Sequence, residues 1–396
     1  MTKRRGHGEG TIYQRKDDGL WVAKLTIGVK PDGSPNRKTL YGKTRKIVQE
    51  KLTAALAAVN AGTYIETSKL TLGEWLDIWF KEYTIGIKQS TRVSYDGYIN
   101  SHIKPVIGQL MLSKLNTDTL QAFFNDKHRN GRLDGKGGLE PKTLRNMRNM
   151  LRQALEQAVN SDRISKNPIN GVRLPPVSKK PIRVLSMDEQ NAVVNASYTE
   201  RHGFCVRLAL DTGMREGELC GLHWTDIDFK EKVIKIGRTL QRLKSLDDSS
   251  PNKTEIVIDS PKTQKSRRDI PLSDNIMKDL LNFKKAQTEE KLLWGCGYRD
   301  MGFIFAQDVG WYTEPRTMQD MFKRVIGCAG IDDAPFHALR HTFATRALEE
   351  GIAAKVVSDI LGHSTVAITL DLYSHVLLET KRDAINRISK YTSGTV

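Results

Sequence analysis

At 396 residues, with 39% hydrophobic and 27% charged residues, the chain has the make-up of an ordinary soluble protein of two or three domains. No stretch reaches the roughly 18 apolar residues that cross a bilayer, and the basic start "MTKRRGHGEG" leads into no apolar signal segment, so no membrane is expected and the cytoplasm is. The net charge of +16 lies entirely in the first 180 residues while residues 181–396 are balanced, which suits a polyanion grip joined to something else.

Residues 1–64 read as a small sheet with one helix. "TIYQRKDDGLWVAKLTIG" alternates polar and apolar around an Asp18-Gly19 turn, and "PDGSPN" leads to a third strand, "RKTLYGKT". Val48, Leu52, Ala55, Leu56 and Val59 recur at helical spacing after Thr44, an N-cap, with Gly62 as a stop. That helix covers one sheet face. The other is expected to carry Arg15, Lys24, Lys38 and Lys43 with Tyr13, Trp21 or Tyr41, an array suited to a phosphate backbone or groove. Gly42-Lys43-Thr44 ends like a phosphate loop, but Arg37 stands where its first glycine is required, which speaks against an NTPase.

Residues 71–175 are helical throughout: "TLGEWLDIWFKEY", "STRVSYDGYINSHIKPVIG", "NTDTLQAFFNDKHRN" and "EPKTLRNMRNMLRQALEQAVNS". In the last, Leu144, Met147, Leu151, Leu155 and Val159 form a stripe, while Arg145, Arg148 and Arg152 occupy another face. "GRLDGKGGLEP" is a loop, and residues 176–183, within the proline-rich and basic "RLPPVSKKPIR", form the linker.

From residue 184 to 396 the pattern is mixed. "RHGFCVRLALDTGMREGELCGLHW" predicts a helix, a break at Gly213 and a second helix; "KVIKIG" and "EIVIDSPKTQKSRRDIPL" predict strands, the latter with a hairpin turn near Lys262 to Ser266. "PFHALRHTFATRALEEG" and "AAKVVSDILG" predict helices ended by Gly351 and Gly362, which leaves His363 just past a helix end. Cys205, Cys220, Cys296 and Cys328 have no metal-site spacing and are expected to pack as small hydrophobes.

These elements present Arg215, Lys262, His337, Arg340, His363 and Tyr373. A tyrosine oxygen can attack a phosphodiester and conserve its energy in a phosphotyrosine ester, and forked arginines can hold the nonbridging oxygens without a metal. Lys262 has a rival in Lys265. His337 and His341 are four apart, but Ala338 stands where a zinc protease motif needs glutamate, so no metal is expected. The structural alternatives are an ion pair with Glu218 for Arg215, a helix-end cap for His363 and a core position for Tyr373.

The chain resembles the tyrosine recombinases of phage and conjugative-transposon integrase type. "TGMREGEL" resembles the family's first arginine box, with Glu218 in support; "SPKTQKSRRDIPL" resembles its lysine hairpin; "HALRHTFAT", "LGH" and "TLDLYSH" resemble its remaining boxes. The resemblance implies a multidomain α+β chain. An arm-type DNA-binding domain (1–64) precedes a helical core-binding domain (71–175) and a mixed, mainly helical catalytic domain with a small antiparallel sheet (184–396). It implies that Arg215, Lys262, His337, Arg340, His363 and Tyr373 are catalytic. It further implies double-stranded DNA with core-type and arm-type attachment sites, a homotetramer on that DNA, accessory bending or excision proteins, and no cofactor. The stripe of Ala384, Ile385 and Ile388 near the chain end is then expected to dock on a neighbouring protomer. A type IB topoisomerase and a regulator that binds DNA without cutting it are the alternatives.

Overall fold

A computed structural model of the chain describes residues 10–29, 33–60, 69–178, 181–247, 249–259 and 267–372, with residues 382, 385, 386, 388, 389 and 391 of the tail. The chain divides into two compact units, Met1–Ser178 and Lys179–Val396, and the division falls in the proline-rich stretch. Among the described residues no helix is long and apolar enough to cross a membrane.

The first unit opens with antiparallel strands β1 (Thr11–Gln14), β2 (Trp21–Val29) and β3 (Pro35–Gly42), in that order, followed by helix α1 (Arg45–Asn60). Thr44 accepts the Ile47 amide as the N-cap, and Val48 and Leu52 of α1 bury against Ala23 and Leu25. Gly62, expected to stop this helix, lies outside the described residues. The strand register corrects the expected outer array. Lys38 pairs with Leu25, and Trp21 packs on the helix-side core, so alternation puts both on the helix side of the sheet. Tyr13, Arg15, Lys24 and Tyr41 fall on the opposite face, where Arg15 lies over the Tyr41 ring and Lys24 over the Tyr13 ring. Lys43 is exposed just past β3.

The helical part holds α2 (Leu72–Glu82), α3 (Gln89–Gly97), a π-helical turn (Tyr98–Ile103), α4 (Lys104–Ile107), α5 (Thr117–Asn130) and α6 (Pro141–Asn160). Thr71 and Glu74 form a capping box at the start of α2, and Asn116 caps α5. Leu144, Met147, Leu151 and Leu155 of α6 are fully buried, and the Trp75 indole donates to the Ala154 carbonyl across the core. Arg145 and Arg152 point outward, with Arg148 half-buried. Val172 is still part of this core, and Arg173 exchanges two hydrogen bonds with Gln121, so the extended segment leaves the bundle beyond that point.

The second unit runs α7 (Met187–Ser197), α8 (Phe204–Thr212), α9 (Glu216–Cys220), β4 (Ile227–Asp228), β5 (Val233–Ile236), β6 (Thr239–Lys244), β7 (Thr254–Asp259), β8 (Arg268–Pro271), α10 (Asp274–Trp294), α11 (Pro315–Cys328), α12 (His337–Glu349), α13 (Ala354–Leu361) and α14 (Val366–Leu372). Its main core gathers Phe204, Leu208, Ile234, Ile270, Phe305, Phe322 and Leu339, and a smaller cluster between α12 and α13 holds Ala344, Leu348, Val357 and Leu361. The expected hairpin joining the strands on either side of Lys262 is not how those strands pair. Among the described residues β7 pairs with β6 and β8 with β5, so the two flanks belong to different sheets. Cys205 and Cys220 are buried as expected, whereas Cys296, in a glycine turn, and Cys328, at the end of α11, are exposed.

Candidate active site

The site is organised by how two helices end. Helix α8 stops at Gly213, which takes the left-handed conformation at φ 63°; a Cβ there would lie 2.6 Å from both Leu361 Cδ2 and Phe343 Cδ1. Only glycine satisfies both demands, and the turn it makes starts α9 with Arg215 as the N-cap residue. Helix α13 ends at Gly362, also left-handed at φ 64°, in a Schellman arrangement: the His363 amide donates to Ser358 O and the Gly362 amide to Asp359 O, each at 3.0 Å.

That arrangement leaves the next three carbonyls, those of Ile360, Leu361 and Gly362, without helical donors. Each accepts from a different arginine. Arg268 Nε donates to Ile360 O, Arg340 Nη2 to Leu361 O at 2.7 Å, and Arg215 Nη2 to Gly362 O at 3.2 Å. Three guanidiniums thus meet the negative end of one helix dipole, where cations are stabilised. Arg340 is 3% exposed and also donates to Gly213 O at 2.7 Å, which ties the two helix ends together.

Glu218 lies between two of these arginines. Its buried carboxylate accepts from Arg215 Nη1 at 2.8 Å, from the Arg215 amide at 2.9 Å, and from both Arg268 Nη atoms at 3.1 and 2.9 Å. Burial alone would raise this carboxyl, but the hydrogen bonds and charge of Arg268, then of Arg215, overcome it and hold it at about 2. Arg215 is the more open of the pair, with 36% of its side chain exposed against 6% for Arg268.

The histidines border this cationic group. His337 opens α12 at the surface, and the His341 ring stands edge-on to it at 4.7 Å between centroids. His363 Nδ1 shares a 2.8 Å hydrogen bond with Thr369 Oγ1, a fully buried hydroxyl on α14. All three are pushed below the ordinary histidine range, first by the protein around them and then by nearby charged groups. His341 and His363 come down to about 4, the latter with Arg340 and Arg215 as its main cationic neighbours. They are therefore neutral at pH 7. At the end of α13 it is the arginines that donate to the free carbonyls, while the His363 ring bonds to Thr369.

The structure brings Arg215, Glu218, His337, Arg340 and His363 into one group. Lys262, Lys265 and Tyr373 lie outside the described residues; β8 begins six residues after Lys262, and α14 ends one residue before Tyr373. Arg268 and Thr369 belong to the site but were not singled out by sequence reasoning. The one signal for Arg268 was the pair "RR" ahead of "DIPL", whose second member alternation turns inward. Thr369 carries no signal of its own.

Comparisons with known proteins bear on family and fold. The sequence profile of the Phage integrase family matches residues 183–379, and that of the phage integrase N-terminal SAM-like domain matches residues 71–128. A tyrosine recombinase XerC-like protein of Caldanaerobacter subterraneus is 29% identical over 390 residues, covering 96% of this chain and 98% of that one. The transposase from transposon Tn916 of Enterococcus faecalis is 25% identical over 271 residues, covering 64% of each chain. Among solved structures, the Tn1549 transposon integrase in complex with transposon right end DNA superposes with a TM-score of 0.66 at 22% identity. It covers 81% of this chain and 99% of that one, a likeness of fold.

Proposed function

The chain belongs to the phage integrase family of tyrosine recombinases, and we propose that it integrates and excises a mobile DNA element with Tyr373 as its nucleophile. The observation that carries this reading is the meeting of Arg215 and Arg340 at the Leu361-Gly362 turn, directly before His363 and the helix that leads to Tyr373.

In this reading the Tyr373 oxygen attacks the scissile phosphorus, the bond to the 5′ oxygen breaks, and a 3′-phosphotyrosine ester keeps the energy for rejoining. Arg215 presents its exposed edge to the nonbridging oxygens, with Arg340 behind it, and Glu218 fixes the angle of Arg215. One of His337 and His363 donates a ring N–H to a nonbridging oxygen, and the other takes the proton that the Tyr373 hydroxyl loses as it attacks; both rings are held below the ordinary histidine range by burial and the nearby arginines. Lys262 delivers a proton to the departing 5′ oxygen, with Lys265 as the alternative donor. No cofactor enters the reaction.

Residues 71–175 would grip the core-type site through the α6 face of Arg145, Arg148 and Arg152. Residues 1–64 would reach arm-type sites through Tyr13, Arg15, Lys24, Tyr41 and Lys43, while Trp21 and Lys38 lie on the helix side, away from that face. The working assembly is a homotetramer in the cytoplasm, aided by bending or excision proteins. Ile385 and Ile388, both exposed, fit a tail that docks on a neighbour; deleting residues 381–396 should lower recombination and spare binding of one protomer. The test of the whole reading is a cell carrying the element's two junctions around a reporter. Wild-type chain should exchange them and Tyr373→Phe should not; relaxation of supercoils without exchange would favour the topoisomerase, and binding without either would favour the regulator.

A further inference from the structure

The α13 end and the Arg215–Glu218 pair are joined by a residue that the proposed chemistry does not use. Arg268, the first residue of β8, is 6% exposed at its side chain, yet it lies closest in sequence to the Lys262 segment of any arginine in the cationic group. Its fork covers both Glu218 oxygens while its Nε holds Ile360 O, three residues before His363. Gly362 leaves the space it crosses: a Cβ there would stand 3.1 Å from Arg268 Cδ and Nη1.

We propose that Arg268 is a positioning residue for strand cleavage, which sets the angle of Arg215 through Glu218 and locks the turn carrying His363 to the strand that follows Lys262. Two consequences follow from the contacts. Because Arg268 satisfies much of Glu218, Arg215 keeps donors for a phosphate rather than spending them on a buried carboxylate. Because one planar fork meets the carboxylate while its Nε meets a carbonyl, a lysine, with a compact point charge, cannot replace it. Of the charged and titratable groups around Glu218, Arg215 comes from α9, Arg268 from β8 and His337 from α12. Removing Arg268 takes away the larger of the two influences that lower this carboxyl and leaves burial opposed by Arg215 alone, so the carboxyl rises.

The inference rests on the reading of Tyr373 as nucleophile, and the test separates the two. Full-length chain is given a nicked duplex selected from a random-sequence pool by wild-type binding, and covalent adduct is measured in single turnover. Arg268→Met should form adduct about 100-fold more slowly while binding the duplex within about threefold of wild type, the signature of misplacement rather than lost grip. Arg268→Lys should regain part of that rate. The Met variant should also lose rate as pH falls through the raised Glu218 value, and adding Glu218→Gln should remove that acid limb. Arg268→Met at the wild-type rate, or rate and affinity falling together, overturns the inference. If Arg268→Met does not fold, Arg268→Lys decides: rate at least about tenfold down with unchanged affinity supports the role, and a wild-type rate overturns it. No adduct from wild type would instead overturn the reading of Tyr373.

Discussion

Alanine at Gly213 and at Gly362 should fail in different ways, although both positions are left-handed turns beside the same arginines. Forcing an L-residue into that backbone region costs about 1–2 kcal/mol at either site. At Gly213 the new methyl meets Leu361 and Phe343 at 2.6 Å, side chains of the packed α12–α13 cluster, and overpacking of that kind adds about 1–3 kcal/mol. Gly213→Ala should therefore destabilise the second unit by about 2–5 kcal/mol. At Gly362 the methyl meets Arg268 Cδ and Nη1 at 3.1 Å, a contact that a shift of a few tenths of an ångström relieves with the Glu218 pair kept, so the loss of stability stays near the backbone term of about 1–2 kcal/mol. The cost there should appear in chemistry, because the shift tilts the fork that orients Glu218 and holds Ile360 O. Hydrogen exchange of α8 and α12 amides, read by mass spectrometry on the full-length chain, gives the local free energies; single-turnover adduct formation gives the rate. The reasoning fails if Gly213→Ala is no more destabilising than Gly362→Ala, or if Gly362→Ala cleaves at the wild-type rate.

Other outcomes follow from the same contacts. His341 and His363 drop from 6.5 to about 4 on folding, so the unfolded chain binds more protons between those values; stability of the second unit should fall as pH falls from 6.5 toward 4, and asparagine at both positions should flatten the slope of a pH series of urea titrations. Thr369→Val should free the His363 ring and lower the cleavage rate with unchanged duplex affinity in a gel-shift titration, whereas loss of affinity would place Thr369 in DNA binding. When the leaving 5′ oxygen is replaced by sulfur, which departs with little help from an acid, Lys262→Ala should regain cleavage and Arg215→Ala should not; rescue of Lys265→Ala instead would move the acid three residues along. Duplex binding should weaken steeply with salt, by roughly 0.9 counterion per phosphate neutralised, and residues 184–396 alone should bind weakly.

The first sheet, α1, the α2–α6 bundle and the Gly213, Gly351 and Gly362 helix ends were legible, because alternation, helical spacing and glycine stops act locally in the chain. Face assignment at Lys38 was not: a strand of mixed composition states its period, and only its pairing with Leu25 states its side. The strands around Lys262 misled for a similar reason, since two β segments close in sequence read as one hairpin while their partners, β6 and β5, were chosen by tertiary packing. Helices α7, α10 and α11 went unread. The capping box at Ser186 and Glu189 and the stripe Met318, Met321, Phe322, Val325 of α11 were there to be found, whereas α10 mixes exposed Leu281, Leu292 and Leu293 with its buried face. Within the site, the residues proposed to meet substrate follow recognisable boxes. Arg268 works through Glu218 and a carbonyl 92 residues away, a relation that only the fold creates.

The most direct measurement is to identify the residue that carries the DNA. Wild-type chain is trapped on the nicked duplex, the adduct is digested with protease and nuclease, and the modified peptide is sequenced by mass spectrometry. The account predicts a single peptide with a nucleotide 3′-phosphate on Tyr373 and no adduct from Tyr373→Phe; a nucleotide on any other side chain, or an adduct that survives the substitution, would contradict it.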